Sequence, residues 1–209
     1  MREHESRLKS EIFPSCTEVV WVVGYGGAGK STFARIAEEF GYSIVGLGSS
    51  VRALYNEAIS GQRDKRPTLL GWVQQQIEKI GEVQFAHNMM RHRLSLLPDL
   101  ISAERIVIPS IRNPEVLNSL KPLFPEARHR IIFIDASQPT RVKRLEARDA
   151  GEYEEYGIVQ MVERDEAEDK VGLRELIKTA EATIKNEGSL ENFERAIRSF
   201  FQTEKKKNG

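Results

Sequence analysis

The chain has 209 residues, and its 31 Lys plus Arg balance 31 Asp plus Glu; that length suits one α/β domain with a small insertion and excludes two full-sized domains. The balanced charge excludes a global basic field that would draw the chain onto nucleic acid. The single Cys16 and the lack of a Cys/His cluster exclude an internal disulfide and a zinc site, so a reducing cytoplasm is the expected compartment; no apolar run reaches membrane-spanning length, and residues 1–11 do not read as a signal peptide.

Residues 1–16 are charged, carry Pro14, and are expected to form a flexible arm. Val19, Val20, Trp21, Val22 and Val23 follow as a short apolar run rich in β-branched residues, the pattern of a parallel strand buried on both faces. The run leads into Gly24-Tyr25-Gly26-Gly27-Ala28-Gly29-Lys30-Ser31, which fits the phosphate-binding loop pattern G-x-x-x-x-G-K-[ST]. Glycines there let successive main-chain N–H groups from about Gly26 to Lys30 point inward around a β-phosphate, and the following helix adds its positive dipole end. Lys30 would reach the β- and γ-phosphates, and the Ser31 hydroxyl would be one ligand of a Mg2+ bridging them. A helix over 31–40 is expected from Phe33, Ile36, Ala37 and Phe40, with Gly41 as its stop.

Residues 43–46 read as a second strand, and Ser49 or Ser50 as the cap of a helix through Val51, Leu54, Tyr55 and Ala58. After a charged break at 61–67, the apolar spacing over 68–97 predicts two packed helices separated near Gly81. Residues 105–108 form a third strand ended by Pro109, and Pro114 opens another helix. Residues 130–135 form a fourth strand, and Ser137 caps a helix whose face over 140–148 is basic. A break at 151–157, a charged helix over 158–169, a fifth strand at 182–185 and a last helix capped by Ser189 complete the order, with a basic tail at 204–209 read as solvated. Strands alternating with helices imply an α/β fold, and the phosphate-binding loop after the first strand leads one to expect the P-loop NTPase type. It has a five-stranded parallel sheet, helices on both faces, and a single domain over 17–203, and ligands bind outside the carboxyl ends of the strands. Arg52, Arg112, Arg141, Arg144 and Arg148 all follow such strand ends.

The ordered segments GYGGAGKS, GLGSSVR, IVIPSIR, DASQPTRVKRLEARD, ERDEAE and IKNEGSLENF resemble the nucleoside monophosphate kinase branch of the phosphate-loop proteins. The closer likeness is to a group of archaeal nucleotide kinases, assigned by sequence, that are related to dephospho-coenzyme A kinase and adenylate kinase. It runs from Val19 to Phe201. The resemblance implies that Gly24, Gly26, Gly27, Ala28, Gly29, Lys30, Ser31 and Thr32 hold a donor ATP with Mg2+. It implies that Arg52 and Arg112 hold the phosphate of a small phosphorylated acceptor. It also implies that Arg141, Arg148 and Arg164 belong to or flank a small helical lid over 148–164, with Lys30, Arg112 and Arg148 acting on the transferred group. Fixed cations and exclusion of water are what phosphoryl transfer asks of a protein.

Each arginine also has a plainer reading. Arg52 and Arg112 fit surface charges, Arg141, Arg144 and Arg148 have the spacing of a solvated helix face, and Arg164 stands among Glu163, Asp165, Glu166 and Glu168. His87 and His92 read as helix residues, and Trp72 with Phe85 as core. Two family positions depart from pattern: where relatives carry G-D-x-x-R and D-G-x-x-R, this chain has Ser49 and Pro109 at the acids. Asp135 is then the nearest carboxylate for the metal. Two functions follow, a kinase and a nucleotide-binding switch with weak turnover. Gln74, Gln75, Gln76, Gln84 and Asn88, on the 68–97 helices expected to cover the acceptor, are candidates for reading a base edge. ATP against GTP and the oligomeric state are not specified by these residues.

Overall fold

The computed structural model describes residues 13, 15–60, 67–149 and 158–207, with side chains not described at 148–149, 158–160 and 204–207. The first strand, β1 (Glu18–Val23), is the centre of the sheet, and its five apolar residues from Val19 to Val23 have no exposed surface. Burial of both faces is possible because side chains alternate. Val19, Trp21 and Val23 enter one apolar layer, and Val20 and Val22 enter the opposite one.

The remaining strands are β2 (Ser43–Ile44), β3 (Arg105–Pro109), β4 (Arg128–Asp135) and β5 (Ala182–Lys185), in the sheet order β2-β3-β1-β4-β5. All four pairings are parallel, and the register sets Val22 beside Pro109, Val23 beside Phe133, and Asp135 beside Lys185. The carboxyl ends of the three central strands therefore lie together, as the sequence leads one to expect of a sheet that binds ligands at that edge.

Helices cover both faces. On the Val20 and Val22 side lie α1 (Lys30–Glu38) and the last helix, α9 (Leu190–Lys207), which contributes Phe193, Ile197 and Phe201. In chain order the others are α2 (Leu47–Ile59), α3 (Leu69–Ile80), α4 (Glu82–Leu96), α5 (Pro114–Leu120), α6 (Gln138–Asp149), α7 (Ile158–Lys170) and α8 (Leu173–Lys178). Buried residues of α4, α5 and α8 pack on the Trp21 side.

The split of the 68–97 segment falls at Gly81, whose φ of 79° ends α3 and starts α4; Thr68 caps α3 by accepting from the Gly71 N–H at 3.1 Å. Pro114 opens α5 beneath an Asn113 cap, and Ser189 Oγ accepts from the Asn192 N–H at 3.2 Å.

Two details differ from the sequence reading. Helix α2 starts at Leu47, so Ser49 and Ser50 lie within its first turn and do not cap it. The Ser49 hydroxyl instead donates back to the Gly46 carbonyl at 2.6 Å, and the buried Ser50 hydroxyl has no partner. Phe13 and Cys16, read as part of the 1–16 arm, are buried, with Phe13 stacked on Phe124 at 4.5 Å. Residues 1–12 of that arm, 150–157 of the 148–164 segment and 208–209 of the tail lie outside the described residues.

Candidate functional site

The loop between β1 and α1 is shaped by close backbone approaches. Gly29, in the left-handed region at φ 108°, ends the loop as the N-cap of α1. A Cβ there would sit 2.5 Å from the Asn186 amide and 2.8 Å from the Phe193 ring. At Gly24 a Cβ would lie 2.6 Å from the Ile134 carbonyl oxygen. Lys30, in the first turn of α1, is buried, and its Nζ donates to the main-chain carbonyls of Gly24 at 2.5 Å and Tyr25 at 2.8 Å. Burial, then the nearby Arg112, Arg164 and Arg141, push its pKa down to about 7, against an opposing pull from Glu168. Ser31 is exposed and Thr32 half-buried beside it.

Three of the arginines named from the sequence converge here. Arg141, on α6, is buried beneath the loop. It donates to the Ala136 and Gly26 carbonyls at 3.0 and 3.2 Å and pairs bidentately with Asp165 of α7 at 2.9 and 2.6 Å, while its guanidinium lies 5.0 Å from the centre of the Tyr25 ring. Arg164, on α7, crosses the loop face so closely that a Cβ on Gly26 would come within 2.8 Å of its Cζ. Arg112, three residues past β3, has its Nε 2.9 Å from Glu168 Oε1, an ion pair not aligned as a hydrogen bond.

The others stand apart. Arg52 is exposed on α2, without a hydrogen bond or ion pair to any other of the described residues. Arg148 closes the basic face of α6, and its side chain lies outside the described residues. Arg144 turns to the far side of the loop and donates Nη2 to both the carbonyl and Oδ1 of Asn186 at 2.9 Å. Asp135, half-buried at the end of β4, accepts the Asn186 N–H through its carbonyl, whereas the carboxylate that acts on Lys30 is Glu168.

Four residues to which the sequence reading gave no role build the site. Asn186 holds the Ala28 carbonyl at 2.8 Å, and Asp165, Glu168 and Asp169 anchor Arg141, Arg112 and Tyr25 respectively; the Tyr25 hydroxyl donates to Asp169 at 2.7 Å. The signal was their spacing. Positions 165, 168 and 169 share one face of a helix with Met161, which packs on Val142 and Leu145. Ser110, two residues before Arg112, is the one non-glycine at positive φ, 78°, among the described residues.

On the far side of α2, a groove of about 400 Å³ opens between α2, α3 and α4. Leu54, Trp72, Phe85 and Met89 form its apolar walls, and Gln76 and Asn88 are among its polar groups. Phe85 is buried, as read from the sequence, but Trp72 is only half-buried, 6.2 Å from it. Gln74 and Gln75 face solvent.

A parallel sheet with a glycine-rich loop ahead of Lys30, basic side chains over its carboxyl edge and helices on both faces is a P-loop kinase-like fold. Solved structures agree on the fold. TT1252 from Thermus thermophilus superimposes with a TM-score of 0.59 at 23% identity, covering 90% of this chain and 98% of that one, and a shikimate kinase from Bacteroides thetaiotaomicron with a TM-score of 0.50 at 15% identity over 90% and 98%. A protein-family profile described as an AAA domain matches residues 20–170, and the chain belongs to that family. Among curated proteins, a UPF0200 protein of the archaeon Methanothermobacter thermautotrophicus is 28% identical over 82% of this chain and 83% of its own length. No helix among the described residues is long and apolar enough to cross a membrane.

Proposed function

We propose that the chain transfers a phosphoryl group from ATP to a small phosphorylated acceptor of the nucleoside monophosphate or dephospho-coenzyme A kind. The observation that carries this reading is the gathering of Lys30, Arg112, Arg141 and Arg164 around one glycine-rich loop at the carboxyl edge of the sheet. Four basic side chains, Lys30 and Arg141 buried and Arg112 and Arg164 partly exposed, suit a reaction whose charge spreads over phosphate oxygens and which needs little covalent help.

In this reading the main-chain N–H groups from Gly26 to Lys30 cradle the β-phosphate. Lys30 exchanges its two carbonyl partners for phosphate oxygens. Arg112, with Arg52 from α2, receives the phosphate of the acceptor, while Arg164 and Arg148 close over the transferred group and keep water out. Arg141 contributes field and position, because its donors are already spent on Asp165, Ala136 and Gly26. The groove beside Trp72 and Phe85 has the volume of a small-ligand site and suits the non-phosphate part of the acceptor, with Gln76 and Asn88 as polar contacts.

Ser31 is exposed at the start of α1, and no group of three or more His, Cys, Asp or Glu among the described residues is placed to hold a metal by itself. That donor set fits a Mg2+ held mainly by phosphates and water with Ser31 as a protein ligand. When bound, such an ion would neutralise charge on the phosphate oxygens.

Pro109 favours a second reading. At the end of β3, beside Val22, it offers neither carboxylate nor N–H, so a site that binds nucleotide through the loop backbone and turns over slowly would serve as a switch. Incubation with ATP, Mg2+ and a panel of nucleoside monophosphates plus dephospho-coenzyme A separates the two. ADP formation that depends on one acceptor is expected, and tight triphosphate binding without it would favour the switch. In the same assay Lys30→Ala is expected to abolish transfer and strongly weaken triphosphate binding; wild-type turnover by that variant would overturn the role of Lys30.

A further inference from the structure

We propose that Glu168 is an internal competitor for phosphate: its carboxylate occupies the place between Arg112 and Arg164 that a phosphate group of the ligand takes, and the site opens only when that group displaces it. This rests on the phosphate-site reading above and adds the residue that sets its affinity.

Glu168 lies on α7 with 8% of its side chain exposed. Its Oε1 is 2.9 Å from Arg112 Nε and 3.4 Å from Arg164 Nε. Its second oxygen, Oε2, is buried without a hydrogen-bond partner. An ordinary structural carboxylate would satisfy both oxygens, because a buried acceptor left unpaired is costly. Arg164 in turn presses on Gly26 in the loop, which fixes the position of the carboxylate beside the phosphate cradle.

The neighbouring acid behaves differently. Asp165, one turn earlier, uses both oxygens on Arg141 in a closed bidentate pair and also accepts from Gln138 at 3.2 Å. Asp165 is thus a satisfied anchor, and Glu168 is the member of the pair that holds two cations incompletely. A phosphate group carries more charge and more acceptor oxygens than one carboxylate, and can satisfy the donors of Arg112 and Arg164 together. Entry of such a group therefore trades Glu168 for the ligand at the same two guanidiniums, and frees the face of α7 that carries it.

The test is calorimetric titration of the whole chain with inorganic pyrophosphate, comparing wild type with Glu168→Gln, which keeps shape and removes charge. Loss of a competing charge-assisted contact is expected to tighten pyrophosphate binding about tenfold. Glu168→Asp, which keeps the buried charge but draws it back from Arg112, is expected to tighten binding less, and serves if the glutamine variant does not fold. Equal or weaker binding by the folded variants would overturn the competitor role alone. Absence of binding by wild type and variants at millimolar pyrophosphate would overturn the phosphate site itself. Neither outcome depends on turnover, so both are distinguishable from the absence of an acceptor.

Discussion

Replacing Arg141 by methionine distinguishes an arginine that ties the fold from one that binds substrate. The side chain is 4% exposed and its partner Asp165 16%, and the substitution removes the bidentate pair together with the bonds to the Ala136 and Gly26 carbonyls. Taking one partner from a buried ion pair costs about 3–5 kcal/mol, because the other charge stays behind uncompensated. Asp165 keeps some exposure and the bond from Gln138, which favours the lower half of that range. For a chain of this size each kcal/mol moves Tm by about 2–4 °C, so Arg141→Met is expected to lower Tm by about 6–16 °C in calorimetric or circular-dichroism melting. Adding Asp165→Leu removes the stranded charge, and is expected to recover more than half of the loss. A fall smaller than about 3 °C would refute the clamp and return Arg141 to the group of free, substrate-binding cations.

Three further outcomes follow from the structure. Lys30, held at about 7 by burial and its arginine neighbours, is largely neutral at pH 8, and phosphates beside it restore the charge. Pyrophosphate binding at pH 8 should take up a proton, measurable by titration in buffers of different ionisation heat; no buffer dependence would contradict the assignment. Because the folded pKa lies below the unfolded one, the unfolded chain binds more protons, and this group makes stability rise with pH from about 7 toward the ordinary lysine value of 10.5. Ser110→Gly should raise stability by about 0.5–1 kcal/mol in urea melts, since relief of a left-handed side chain outweighs the added freedom of the unfolded chain; an unchanged midpoint would mean the φ of 78° is unstrained.

The sheet and the loop at its carboxyl edge were legible because local chemistry decides them. The β-branched run from Val19 to Val23 can only be buried on two faces, the glycine pattern ahead of Lys30 fixes the loop, and Gly81 breaks the long helical segment. The start of helix α2 was misplaced by three or four residues because a serine inside a first turn can bond back to the Gly46 carbonyl as readily as it caps. The partners of the arginines were hidden for another reason. Asp165 and Glu168 sit in a helix of mixed charge, and which of its acids face the loop is set by Met161 packing on α6, a contact more than ten residues away in sequence. Asn186 was quoted within a motif without a role, because its bond to Ala28 spans 158 positions.

The two tryptophans sit in opposite settings. Trp21 is sealed in the central strand, with its indole N–H bonded to His129 at 3.1 Å, whereas Trp72 lies half-open between Tyr55 and Phe85 at the helical groove. The chain thus carries its own pair of optical probes, a fixed reference and a sensor. A change in emission on adding an acceptor reports on the helices around α3 while the sheet stays silent, and a Trp21→Phe background isolates that signal.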